Sequence, residues 1–285
     1  MKTDMKTNIK FAFVAIAVLS IALSSCKKDK ENFDSTTDSN AIIENSAADA
    51  AFSDVASISD EAYTGSLESF RTEGVEKIMT TCATITFDTI NSPRSFMVDF
   101  GIGNCLCLDG NYRRGKIIVT FTGIYRDSAS YHTITFNNYF VNDNQIQGTK
   151  SVTNNGRNLA GNLSYTIIVN GSIIWSNSYG GGTSTYISNR NREWIAGENT
   201  FTRKDDIYSI SGSANGTTRS GNTYSMRTLT PLKKEIGFRH FTAGILEWTP
   251  QGKSARQIDY GYINGNRDNL ARVTVDGNTF TVTLK

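Results

Sequence analysis

The chain has 285 residues and a formal net charge of +2. Residues 1–25 carry three lysines and one aspartate, so residues 26–285 are neutral by formal count (2 − 2 = 0). A neutral chain without a block of basic residues lacks the positive surface of a nucleic-acid-binding protein, and its length fits one large domain or two small ones.

The N-terminus has the three parts of a secretory signal peptide. Lysines within residues 1–10 precede an uncharged apolar segment, residues 11–23, and two serines follow it. The apolar segment is shorter than the roughly 20 residues that a membrane-spanning helix needs. We therefore predict a cleaved signal peptide at residues 1–25.

Cys26 follows Leu-Ser-Ser, and this stretch resembles the lipobox of bacterial lipoproteins. In that family the cysteine is diacylated on sulfur, typically with chains such as palmitate, and becomes the N-terminus after cleavage. Two or more acyl chains anchor a protein durably, whereas one binds a membrane only marginally. Lys27 follows the cysteine, and by analogy with the family this favours the outer membrane, at the cell surface or on its periplasmic face. The alternative is a cysteine that simply ends a signal peptide.

Residues 26–39 are polar and poor in aromatic residues, so we expect a disordered tether there. Residues 40–65 are predicted to form one amphipathic helix, with Asn40 as N-cap and Gly65 ending the pattern. Its charged residues are all acidic, and anionic head groups would repel them. We expect the helix to pack on the rest of the protein, the alternative being that it lies on the membrane. Its apolar residues recur at steps of three or four: Ile43, Ala47, Ala51, Val55, Ile58 and Ala62.

From about residue 78 the chain alternates apolar and polar side chains, and residues 66–285 are predicted to form an antiparallel β domain of about a dozen strands. Asn170-Gly171 and Asp276-Gly277 interrupt alternating runs, and both pairs predict hairpin turns. The predicted fold class is therefore mainly β: a large antiparallel curled sheet, a sandwich or an open barrel, with one N-terminal helix.

Three cysteines remain after Cys26: Cys82, Cys105 and Cys107. One disulfide and one spare thiol are the simplest arrangement in an exported protein. Cys105 and Cys107 share a face if their segment is extended, so either could pair with Cys82. Together with two histidines they show no zinc-ligand spacing, and we predict no metal site and no cofactor.

Aromatic residues on or near the predicted strands are the candidate ligand-binding residues: Trp175, Trp194, Trp248 and Tyr186. Rings exposed on a sheet can stack on the faces of sugars, whereas buried rings would belong to the core. For an envelope hydrolase, which would use paired carboxylates, the sequence does not single out a pair among Asp99, Asp109, Glu193, Glu247 and Asp259. No catalytic residues are predicted.

Several stretches resemble an uncharacterised family of Bacteroidota outer-membrane lipoproteins: "DFGIGNCLCLDGNYRRGKIIVTFTG", "YFVNDNQIQGTKSVTNNG", "REWIAGENT", "DDIYSISGSANG" and "QIDYGYINGNRDN". The resemblance covers most of residues 26–285. It implies an outer-membrane or surface location and a mostly β fold, and it assigns no activity. In that family a cysteine in the last of these loops pairs with one upstream, and here Arg267 lies in that loop. The departure implies that only the upstream cysteines can form a bridge.

These observations predict a lipid-anchored lipoprotein of the cell envelope that acts as a non-catalytic binding or structural module for a glycan or a protein partner. A first alternative is a periplasmic carrier of lipids or lipoproteins, since a curled sheet closed by a helix can enclose an apolar cavity. A second alternative is the envelope hydrolase.

Overall fold

The computed structural model describes residues 35–67, 82–200, 204–262 and 267–284. The predicted signal peptide, Cys26 and residues 26–34 of the predicted tether lie outside these ranges. The described residues form one α-helix and one large antiparallel sheet of fourteen strands. The mainly β fold with an N-terminal helix is thereby confirmed.

The helix α1 spans Ser35–Leu67, and the strands follow it along the chain. Their bounds are β1 (Thr84–Asp88), β2 (Arg94–Asp99), β3 (Cys105–Leu106), β4 (Tyr112–Phe121), β5 (Tyr131–Val141), β6 (Asn144–Arg157), β7 (Leu163–Ile174), β8 (Thr183–Ala196), β9 (Ile207–Thr217), β10 (Thr223–Glu235), β11 (Ala243–Pro250), β12 (Arg256–Asp259), β13 (Leu270–Val275) and β14 (Asn278–Thr283).

Each strand pairs with its neighbour in the chain, except that β2 pairs directly with β4 and the short β3 pairs with the start of β4. Short connections between consecutive strands favour this up-and-down order. All fourteen strands belong to one curled sheet. Among the three architectures predicted from the sequence, the two-sheet sandwich is therefore excluded.

The sheet curls around α1. Residues 41–63 of the helix include no exposed residue, since each is buried or half-buried. Val55 and Ile58 are fully buried in one core cluster that also contains Phe96 of β2 and Val273 of β13. One continuous core thus joins both ends of the sheet through the helix, and the prediction that the helix packs on the β domain agrees with the structure.

Two local predictions differ from the structure. The helix begins at Ser35 rather than at residue 40, so the last residues of the predicted tether are helical. Asn170-Gly171 lies within β7 and does not form a turn. By contrast, Asp276-Gly277 does connect β13 and β14, and Asp276 has the positive φ, 47°, that such a turn requires.

No helix in the described ranges combines the length and the apolar character needed to cross a membrane.

Candidate ligand-binding site

Acidic side chains of α1 form ion pairs with arginines of the surrounding sheet. An enclosed helix cannot expose its charged residues to water, and a buried charge is tolerated only when it is paired and hydrogen-bonded. The pairs, from the start of the helix, are Asp38 with Arg256 at 3.0 Å, Glu44 with Arg219 at 3.1 Å, Asp49 with Arg190 at 3.0 Å and Asp54 with Arg113 at 2.5 Å.

Arg113 is the most enclosed of these arginines, with a side chain that is 0% exposed. It donates hydrogen bonds to Asp54 and to both oxygens of Asp109. Burial tends to raise the pKa of Asp109, but its contacts with Arg113 outweigh burial, and the pKa is lowered. The pKa of Asp54 is raised because its own burial outweighs the attraction of Arg113. Arg113 therefore joins the helix to the loop before β4.

A cavity of about 1060 Å³ runs alongside α1. The helix contributes a stripe of small and apolar residues, including Ile43, Ala47 and Ala51, and the sheet contributes apolar side chains from β5, β6 and β7. The first three residues of the apolar stripe predicted from the sequence therefore face a cavity. The other three, Val55, Ile58 and Ala62, are buried in the core. Charged side chains also line the space: Glu44, Asp54, Glu61, Asp109, Lys204, Arg219, Lys234 and Arg239.

The four aromatic candidates do not form the exposed platform that sugar stacking would require. Trp175, Trp194, Trp248 and Tyr186 are 8%, 5%, 3% and 2% exposed. Trp194, Trp248 and Tyr186 lie on strands, at positions that point toward the concave side of the sheet, and Trp175 directly follows β7. All four rings contact the helix, other rings or the neighbouring strands. The burial of these rings excludes an exposed stacking platform, but Trp175 lines the large cavity and Tyr186 lines a smaller one beside the helix, so ligand binding by these residues stays a prediction.

Trp175 is the one of these four that lines the large cavity. Its Nε1 donates a hydrogen bond of 2.8 Å to the hydroxyl of Ser184, and the guanidinium of Arg219 lies 4.9 Å from its ring centre. The hydroxyl of Tyr186 donates to Asp49 on the helix. These contacts fix the two rings, and Trp175 presents a rigid, partly polar wall to the cavity.

Cys82 and Cys105 form a disulfide with a Cα–Cα distance of 6.1 Å, and Cys107 is a buried free thiol. Of the two pairings left open by the sequence, the structure has the one with Cys105. Burial raises the pKa of the Cys107 thiol, which makes it a poor nucleophile. Arg267, which lies in the loop where the resembling family has a cysteine, forms an ion pair of 2.7 Å with Glu235.

The two histidines contact the helix or its neighbours. Nδ1 of His240 lies 3.3 Å from the hydroxyl of Ser46, and burial lowers the pKa of His240 to about 4. The ring of His132 stacks on Phe121, and burial lowers the pKa of His132 as well. Both rings are therefore neutral at pH 7.

Four of the five carboxylates considered for hydrolysis lie in separate ion pairs. Asp99, Asp109, Glu247 and Asp259 each pair with a different basic residue, respectively Lys116, Arg113, Arg227 and Arg272. In the part of the chain that the structure describes, no group of three or more His, Cys, Asp or Glu side chains is placed to hold a metal ion.

The basic residues that face the helix were not among the residues predicted from the sequence. A signal for them exists in the strand pattern, because side chains two apart point to the same face. Arg113 is an even number of residues from Ile117, Val119 and Phe121, and therefore lies on the same face of β4. Lys150 lies on the same face of β6 as Val152 for the same reason. Basic residues at inward positions, opposite a helix whose charged residues are all acidic, indicate buried cations that face the helix.

No family model, no curated protein and no solved structure matches this chain.

Proposed function

We propose that the protein is a lipid-anchored, non-catalytic binding module of the cell envelope and that its ligand occupies the large cavity beside α1. The observation that carries this proposal is the cavity itself, about 1060 Å³ of space between the enclosed helix and the concave face of the sheet. Cavities of roughly 300–1000 Å³ with apolar walls and a few polar groups are typical of ligand sites.

The anchor remains part of the proposal. Cys26 would carry the acyl chains and hold the domain at the outer membrane, on the surface or on the periplasmic face. Proteolysis of intact cells distinguishes the two faces, since an external protease removes peptides of the β domain only when the domain is outside.

A carrier of an amphipathic lipid is the second candidate. It is favoured by the apolar wall formed by Val141, Ile146 and Ile173 opposite Ile43 of the helix. This wall could hold a hydrocarbon chain, while the charged side chains around it could contact a polar head group. A glycan or a peptide, by contrast, would be held chiefly by the polar part of the lining.

Filling the cavity tests both candidates. Ala47 lines the cavity, and Ala47→Phe would place a ring in it, whereas Ala160→Phe adds the same ring at an exposed turn residue. Native mass spectrometry of the purified proteins, after incubation with a lipid and glycan extract of the envelope, should show a bound species in the wild type and in Ala160→Phe, and much less in Ala47→Phe. Equal occupancy in all three proteins, or no bound species in the wild type, would contradict the proposal.

A further inference from the structure

A second, smaller cavity of about 90 Å³ lies between α1 and the concave side of strands β6 to β10. It has room for about three water molecules at ~30 Å³ each, and thus for a carboxylate or a phosphate group. Ser53, Ser57, Lys234 and Ile236 line both this cavity and the large one. The two spaces therefore adjoin, and we call the smaller one the cationic recess.

The lining of the recess is positively charged. It contains four basic side chains and two acidic ones, a formal excess of +2 (4 − 2). Arg190 is already neutralised by Asp49 through two contacts, at 3.0 and 3.1 Å. The excess positive charge of the lining therefore comes from the other three basic residues, Lys150, Arg192 and Lys234, and the remaining acidic residue is Asp60.

Lys150 is a buried cation that forms no ion pair with the described residues. It is 5% exposed, and its Nζ donates one hydrogen bond, of 2.8 Å, to the backbone oxygen of Phe52. An ammonium has three donors, so two remain for other partners. Asp60 and Asp49 attract the ammonium without forming an ion pair with it. Burying a charge without a paired counter-ion is costly, and this cost would be offset by an anion in the recess.

Arg192 is held by rings rather than by acids. Its guanidinium carbon lies 4.7 Å, 5.2 Å and 5.5 Å from the ring centres of Tyr208, Tyr165 and Tyr125. Its Nε is buried without a hydrogen-bond partner, and within the described ranges the side chain makes no ion pair. Cation–π contacts orient a guanidinium but leave its N–H groups available for an oxyanion.

Lys234 bounds the recess on the side of the large cavity. Its Nζ donates to the backbone oxygens of Phe238 and Arg239, the latter at 2.8 Å, and it too has no carboxylate partner in the described part of the chain. Carbonyl groups orient the ammonium but do not neutralise it. Three cations on three strands, β6, β8 and β10, thus face one small space.

We propose that the cationic recess binds an oxyanion group, a carboxylate or a phosphate, carried by the ligand whose body fills the large cavity. This inference rests on the proposed function, because the large cavity must take a ligand for the recess to select its head group. It assigns to the site an anionic amphipathic molecule such as a fatty acid or a phospholipid.

The test compares three probes on the full purified protein by calorimetry: decanoate, decanol and inorganic phosphate, in a chloride buffer. We expect decanoate to bind the wild type at least about tenfold more tightly than decanol, since a hydrogen bond to a charged group contributes about 1.5–3 kcal/mol. Lys150→Met should remove this preference and leave decanol binding unchanged. Arg192→Gln, which keeps much of the side chain's bulk, gives a second test if Lys150→Met does not fold, and Lys116→Met on the surface is the matched control.

The outcomes separate the two proposals. Equal affinity for decanoate and decanol in the wild type would overturn the cationic recess while supporting the large cavity. Binding of neither chain would overturn the proposed function in its carrier form. Saturable phosphate binding that Lys150→Met abolishes, without decanoate binding, would support the recess as a site for a free oxyanion and would contradict a head group carried by an apolar chain.

Discussion

Arg113 shows at the scale of one residue why the interior of this protein carries charges. The residue lies on the same face of β4 as the buried Ile117 and Val119, and its guanidinium is held between Asp54 of the helix and Asp109 of the preceding loop. Such a triad adds little net stability over an apolar equivalent, but removing the buried arginine leaves two partly exposed carboxylates, 22% and 26% exposed, without their counter-charge. The triad therefore contributes chiefly by fixing the position of α1 relative to β4.

We expect Arg113→Met to lower the free energy of unfolding by about 1.5–3 kcal/mol, because two partly exposed carboxylates lose the hydrogen bonds of a charged donor. Urea unfolding followed by circular dichroism measures the change. The matched control is Arg227→Met, since Arg227 pairs with Glu247 with a side chain that is 66% exposed, and it should cost no more than about 1 kcal/mol. Equal effects of the two substitutions would show that burial of the triad has no energetic consequence.

Gly171 shows why the Asn170-Gly171 pair does not form the hairpin turn that the sequence predicts. A Cβ atom on this residue would lie 2.1 Å from Cζ of Phe52 on the helix. The glycine is thus needed for the close approach of α1 to β7 and not for a turn. A pair of residues in the sequence cannot reveal this role, because the neighbour that requires it is far away in the chain.

Gly171→Ala should therefore destabilise the protein by about 1–3 kcal/mol through overpacking. A second substitution, Phe52→Leu, should recover part of this loss, because the shorter side chain relieves the clash. Thermal unfolding of the two single variants and the double variant measures the coupling. Gly103→Ala is the control, since nothing lies within 4 Å of its Cβ position. Strictly additive effects at positions 52 and 171 would contradict the steric account.

Lys150 should make the free energy of unfolding depend on pH, and the direction of this dependence follows from its pKa. Burial lowers its pKa to about 8 from 10.5, so between pH 8 and 10.5 the unfolded chain binds more protons than the folded one. Stability should therefore rise with pH in this interval. Above about pH 10 the buried tyrosines oppose the trend, because burial raises the pKa of Tyr165 and Tyr224.

Between pH 8 and pH 10, Lys150→Met should reduce the slope of the unfolding free energy by up to about 1 kcal/mol per pH unit. Asp49, Asp60 and Arg190 also face Lys150. Urea titrations at several pH values give the slope, and Lys116→Met provides the comparison. An unchanged slope in Lys150→Met would mean that the lysine titrates normally in the folded protein.

At the scale of the elements, the strands could be predicted better than the helix. The alternation of apolar and polar residues predicts strands at 94–100, 207–214 and 243–249, close to β2, β9 and β11. Such alternation arises because successive residues of a half-buried strand face the core and the solvent in turn. The helix is enclosed on nearly all sides, so a single apolar stripe described only part of its contacts. Its first turn was missed because Asp38, which resembles a tether residue in sequence, is paired with the buried Arg256.

The disulfide fixes the start of the sheet. Cys82 precedes β1, and Cys105 lies in β3, 23 residues further along the chain. A bridge that closes a loop of this length should contribute about 3 kcal/mol by limiting the unfolded chain. We expect dithiothreitol to lower the stability of the wild type and of Cys107→Ala by this amount, and to leave Cys82→Ser unchanged. A reductant effect that disappears in Cys107→Ala would instead place Cys107 in the bridge.

At the scale of the whole molecule, the sequence left a curled sheet, a sandwich and a barrel open. Each of these architectures alternates inward and outward residues in the same way, so strand patterns alone cannot separate them. The contacts that decide the matter join α1 to strands from β4 to β12 through the ion pairs of Arg113, Arg190 and Arg256. The candidate site depends on the same long-range contacts, and the strand pattern could not show that the four aromatic candidates are buried rather than exposed on the sheet.

The enclosed helix should not open independently of the sheet. Residues 41–63 have no exposed member, and the core that they form includes both ends of the sheet, so α1 cannot leave without exposing the concave face. We therefore expect the amide hydrogens of residues 41–63 to exchange with the same free energy as those of β7 and β8, close to that of global unfolding. Native-state hydrogen exchange in low urea measures these values.

The turn at residues 158–162, which is largely exposed, serves as an internal reference for local fraying in the same experiment. Protection of α1 that is as low as in this turn, with β7 and β8 still protected, would contradict the cooperative core. That result would mean that the helix detaches on its own, and the detached state would then be the route by which a ligand reaches the cavity. Uniform high protection instead requires that a ligand enter along the helix, past the charged side chains of the cavity.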